Sequence, residues 1–173
     1  MKKPYALANE SKDKYLEVFK ELYEHSPWVI QNVYEIVKSD KKFDDIEKFH
    51  ALLCEEMLAA NDFLRMNLIK AHPMLAGKET QKGELTDFST NEQKSAGLNS
   101  CTKEEIELFN KLNKNYFEKF NFPYILAVKG KNKEEIIEDF NTRLENSYEK
   151  EKQIALEQIN KIALIRIKGI YGN

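Results

Sequence analysis

Apolar residues in this chain recur with a helical period and almost nowhere with a strand period, and nothing else in the sequence limits the fold as much. Tyr15, Val18, Phe19, Leu22 and Tyr23 fall at i, i+3, i+4, i+7 and i+8, one stripe of an amphipathic helix. Ser26 before Pro27 predicts a second, short helix, because proline is favoured at a first helical position. A third, from about Asp44, turns Ile46, Phe49, Leu53 and Met57 inward. Asn61 or Asp62 then caps a helix whose apolar face holds Phe63, Leu64, Met66 and Leu68. That helix must stop near His72, since Pro73 disfavours helical geometry in the residue before it. Thr102 opens a capping box with Glu105, ahead of Ile106, Phe109, Leu112 and Tyr116. Asn121 falls where a left-handed C-cap belongs. Asn132 caps a helix that faces Ile136, Ile137, Phe140 and Leu144 inward. A last helix runs from about Ser147 toward Lys168, with Ile154, Ile159, Ile162 and Ile165 at apolar positions. Residues 73 to 88, punctuated by Pro73, Gly77 and Gly83, read as loop. The one strand-like run, YILAV at 124 to 128, has no second strand to pair with, so a buried extended or short helical segment is expected. The fold class expected is all-α, a helical bundle forming one domain over residues 1–173.

Composition narrows the function. A hydrophobic content of 42% against 32% charged residues is a soluble globular balance. A net charge of -2 leaves no basic excess to neutralise phosphates, which argues against nucleic-acid binding. No apolar run is long enough to span a bilayer, and the start, MKKPYALANESK, lacks the apolar stretch of a secretory signal, so no membrane partner and a cytoplasmic location are expected. Cys54 and Cys101 stand alone and read as reduced structural thiols. No H-E-x-x-H, glycine-rich dinucleotide fingerprint or P-loop occurs, so neither a metal nor a nucleotide cofactor is expected. Of 27 basic residues only Arg65, Arg143 and Arg166 are arginines, a slight indication that each is present for its planar fork of donors.

Two polar groupings resist explanation as core filling. His72 closes a helix in front of Pro73. A single histidine serves structure more often than chemistry, but a helix end in a loop-rich stretch, with a side chain that titrates near neutrality, suits proton transfer. His25 and His50 lack such a setting and read as structural, without nearby partners. The second grouping is Ser89, Thr90, Asn91, Glu92 and Gln93. Its simplest reading is a capping box, Ser89 with Glu92, on a short helix ended by Gly97. A helix N-terminus is also a place for an anionic ligand, so the two readings are compatible. Arg166 shares a helix face with Ile159 and Ile162 and needs an acceptor, either a carboxylate such as Glu92 or a ligand.

In order along the chain, EHSPWV (24 to 29), AHP-x-LAGK (71 to 78), GELT-x-x-S-x-x-EQ-x-x-AGL (83 to 98), LN-x-x-Y-x-x-KF-x-FP (112 to 123) and KIA-x-x-R (161 to 166) resemble the OHCU decarboxylases of urate breakdown. The likeness spans nearly the whole chain. It implies an all-helical homodimer that converts 2-oxo-4-hydroxy-4-carboxy-5-ureidoimidazoline to (S)-allantoin without a cofactor. It places catalytic roles on His72, Glu92 and Arg166. Substrate contacts fall on Pro73, on Ser89, Thr90, Asn91, Glu92 and Gln93, and on the main chain of Tyr124, Ile125, Leu126, Ala127 and Val128. Two departures stand out: Met74 where the family usually has a polar or charged residue, and Asn121 in place of a glycine, which asparagine's tolerance of left-handed geometry makes benign. The substrate's carboxylate leaves a carbon next to a C=N bond, so the ring accepts the electron pair. The protein need only orient, stabilise charge and deliver one proton. Two other readings share these residues: a helical binding module that kept the pocket without catalysis, and an enzyme for a related ureide or imidazoline acid.

Overall fold

The computed structural model describes residues 1–77 and 85–172, and all regular structure among them is helical. The helices are α1 (Pro4–Glu10), α2 (Lys12–Phe19), α3 (Trp28–Asn32), α4 (Tyr34–Ser39), α5 (Ile46–Ala59), α6 (Asp62–Ala71), α7 (Asp87–Ser95), α8 (Lys103–Phe120), α9 (Lys133–Leu144) and α10 (Tyr148–Tyr171), with 3-10 turns at Lys41–Asp44 and Leu98–Ser100. Lys78 and Gly83, which belong to the motif blocks and the expected loop, lie outside the described residues. No helix is long and apolar enough to cross a membrane among the described residues.

Caps explain most of the boundaries. Asp45 accepts from the Glu47 and Lys48 N–H groups to start α5, and Asn61 accepts from Leu64 N–H to start α6. Thr102 with Glu105 and Asn132 with Glu135 form full capping boxes on α8 and α9. Asn121 ends α8 at φ 58, the left-handed cap expected there.

The chain divides into two compact units, 1–68 with 160–173 and 69–159, so that α6 and α10 each contribute to both. In the first unit the core is built on Tyr15, Phe19, Tyr34 and Phe49, whose ring centroids lie 5.1 to 6.4 Å apart. In the second, Tyr116 is the hub, with Phe120, Phe122, Tyr124 and Phe140 around it.

Three expectations need correction. Phe63 is 71% exposed, while Leu68 and Ile69 are buried. At about 100° per residue, Phe63 lies roughly opposite those two on α6. Helices α1 and α4 carry no long apolar stripe, and sequence periodicity missed both. Finally, α7 is capped by Thr86, whose hydroxyl accepts from Ser89 N–H at 3.3 Å, so Ser89 and Glu92 lie inside the helix and are not its capping box.

Candidate active site

His72 follows the last residue of α6 and donates its backbone N–H to Ile69 C=O. It is only 7% exposed. The loop after it is held residue by residue. Gln93 Oε1 accepts from Ala76 N–H at 2.9 Å, Gln93 Nε2 donates to Met74 C=O at 3.4 Å, and Asn113 Nδ2 donates to Leu75 C=O at 2.9 Å. Ala76 is fully buried at φ 49, in the left-handed region, which costs a non-glycine residue roughly 1–3 kcal/mol and persists only where neighbours impose it. On the α8 side of this loop, Met74, Gly77, Asn110, Asn113 and Phe117 border a cleft of about 400 Å³.

Starting α7 at Asp87 decides which of its residues share a face. Ser89, Glu92 and Gln93 fall at i, i+3 and i+4; Ser89 and Gln93 are buried and Glu92 is half-buried. Thr90 and Asn91, on the other side, are exposed.

Residues 124 to 128 form neither strand nor helix, yet all are buried except the half-buried Ala127. Protein side chains hold two of their backbone groups: Arg143 Nη1 donates to Ile125 C=O and Ala127 N–H donates to Gln158 Oε1 at 3.0 Å. Lys131 N–H closes a turn on Val128 C=O. The Tyr124 hydroxyl donates to Asp139, and Arg143 lies over the Tyr124 ring at 4.4 Å. Arg143 also reaches Glu151, a fully buried carboxylate that accepts from the Tyr116 hydroxyl and from Asn146 Nδ2 at 2.6 Å. Burial alone would lower the Arg143 pKa, but the Glu151 carboxylate and the neighbouring phenols outweigh it and push it up. Sequence reading missed this network, although the scarcity of arginine was a signal for it.

Arg166 lies in the first unit, buried, with Nη2 3.0 Å from Glu24 Oε2 and Nη1 donating to Glu21 C=O at 3.0 Å. The acceptor it was expected to need is therefore supplied in part by a carboxylate inside the EHSPWV block, which the sequence gave no role. His50 also has partners that were not foreseen: Nε2 is 2.8 Å from Asn160 C=O and 3.3 Å from Cys54 Sγ. His25, at φ 46, has Nε2 3.9 Å from Glu24 Oε1. No three His, Cys, Asp or Glu side chains group as metal ligands among the described residues.

The chain is all-helical, with a buried histidine ahead of a loop that Gln93 clamps and with Ser89 and Glu92 on the same helix face as Gln93. The OHCU decarboxylase family model matches residues 8–168, and the chain belongs to that family. It is 32% identical over 155 residues to the 2-oxo-4-hydroxy-4-carboxy-5-ureidoimidazoline decarboxylase of Haloferax volcanii, covering 90% of this chain and 88% of that one. It is 34% identical over 161 residues to the uric acid degradation bifunctional protein of Bacillus sp. strain TB-90; that match covers 93% of this chain but spans only 30% of the relative's length. Among solved structures, an (S)-allantoin synthase superposes with a TM-score of 0.77 at 25% identity, over 98% of this chain and 54% of that one. The structure of an OHCU decarboxylase in the presence of (S)-allantoin gives a TM-score of 0.69 at 16% identity, over 90% and 99% of the two chains, and shows likeness of fold.

Proposed function

We propose that this chain decarboxylates 2-oxo-4-hydroxy-4-carboxy-5-ureidoimidazoline to (S)-allantoin in urate breakdown. The observation that carries the reading is His72, buried at a helix end with its following loop held by Gln93, the neighbour of Glu92 in the shared S-x-x-EQ block. Loss of the carboxylate as carbon dioxide breaks a C–C bond and sends the electron pair through the adjacent ring C=N, leaving a C=C between the hydroxyl-bearing and ureido-bearing carbons and the negative charge on the ring nitrogen. His72 then delivers a proton to the ureido-bearing carbon, from one face only, as the hydroxyl becomes a carbonyl and its proton passes to that nitrogen. Glu92 holds the substrate hydroxyl or orients His72. Ser89, Gln93 and Pro73, with the main chain of residues 124 to 128, fix the ring and ureido group. With Ile125 C=O and Ala127 N–H bonded to Arg143 and Gln158, that segment is held in place by the protein before a ligand arrives. The role the resemblance gives Arg166 is tested by Arg166→Lys, which keeps the charge and loses the fork. A cytoplasmic homodimer, acting without a cofactor, completes the reading.

Incubation with freshly generated substrate, read by circular dichroism of the allantoin formed, is the test. Spontaneous decay yields racemate, so an excess of the S enantiomer supports the proposal. Because the ring is its own electron sink, activity is expected to survive exhaustive chelation by EDTA; loss of activity restored by zinc or magnesium would contradict cofactor independence.

A further inference from the structure

Three successive residues after His72 have a main-chain polar group bonded to a buried amide. Met74 C=O and Ala76 N–H meet the two ends of Gln93, and Leu75 C=O meets Asn113 Nδ2. Asn113 is 4% exposed, and its Oδ1 has no hydrogen-bond partner among the described residues. An apolar side chain of similar shape would remove the unsatisfied Oδ1 but leave the buried Leu75 C=O without its donor. The Asn113 donor must therefore matter more than its packing. What that donor secures is a backbone that does not relax there by itself, since Ala76 is held at φ 49 without the freedom of glycine. Gln93 adjoins Glu92 on α7, so the clamp also ties the helix carrying the glutamate to the loop that follows the histidine.

We propose that Asn113 is a positioning residue: together with Gln93, which is also placed against the substrate above, it grips the main chain of Met74, Leu75 and Ala76 and holds the His72 ring in its working orientation. Asn113 touches no reacting atom in this account and acts only through the loop. The proposal rests on the reading that His72 handles the proton.

The test is Asn113→Leu, with Gln93→Glu as a second variant that keeps the acceptor for Ala76 and loses the donor to Met74. Expected for Asn113→Leu are an unfolding midpoint modestly lowered by the stranded Leu75 C=O, a KM little changed, and a kcat lower by at least tenfold. The His72 imidazole signal, assigned in a ¹H–¹³C spectrum by its absence in His72→Asn, should shift or broaden in both clamp variants, whether or not the assay substrate is the right one. Adding Ala76→Gly to Asn113→Leu should restore part of kcat, because glycine adopts the left-handed conformation without being held there. An unmoved His72 signal with unchanged kcat overturns the proposal, as does a fall in thermal stability with kcat intact. Full activity in His72→Asn would instead overturn the proton-transfer reading and leave the ring-signal result to judge the clamp.

Discussion

His72, Cys54 and His50 show how differently three titratable side chains can be used. His72 is buried beside a clamped loop, and His72→Asn is expected to lose about two to four orders of magnitude in turnover, the scale of general acid catalysis, with the fold retained by far-ultraviolet circular dichroism. Near-full activity in that variant, with loss in His50→Asn, would move the site to the wrong histidine. Cys54 is the inert case. Burial pushes its thiol up to about 11, partly offset by a hydrogen bond from Tyr23, because desolvation disfavours the thiolate. The folded chain therefore keeps its thiol protonated where the unfolded chain has begun to ionise. Any stability tied to Cys54 is complete below the ordinary thiol range and is lost as pH rises toward about 11. Alkylation by iodoacetamide at pH 8 should be slow at Cys54 in the native chain and fast after denaturation. Equal rates in the two states would show that its burial does not protect it.

At the scale of the element, caps carried most of what could be read. Thr102 with Glu105, Asn132 and Asn121 were legible because each cap is a local bond between residues three or four apart, and the structure has all of them. Thr102→Ala is expected to cost about 0.5–2 kcal/mol in urea unfolding, with the denaturant slope unchanged. Asn121→Gly should be neutral or mildly stabilising, and Asn121→Val destabilising, because only the β-branched residue resists φ 58. What the sequence hid depends on tertiary partners. Ser89 and Glu92 have the spacing of a capping box, yet Thr86 three residues earlier wins the cap and moves both inside α7. Phe63 has a core residue's chemistry but the wrong angle on α6. The clamp of Gln93 and Asn113 joins residues from 17 to 38 positions apart, which no local pattern records.

On the scale of the molecule, two of the three arginines are buried against carboxylates, Arg143 on Glu151 and Arg166 on Glu24. Their scarcity hinted at this, but the partner of each could not be read from a sequence rich in glutamate. Arg143→Met would strand a fully buried Glu151, at an expected cost of about 3–5 kcal/mol, seen as a large fall in thermal midpoint. Arg143→Met with Glu151→Leu should recover much of that loss, since replacing both partners removes the stranded charge. The proposed activity asks little of the fold: one proton, delivered to one face of a ureidoimidazoline after its carboxylate has left. The measurement that bears on it most directly is the enantiomeric composition of allantoin formed from freshly generated substrate, with and without the protein. Rapid formation with the S enantiomer in large excess is expected, with return to slow racemic product in His72→Asn. Racemic allantoin at the spontaneous rate in the presence of the folded, unmodified protein would contradict that activity.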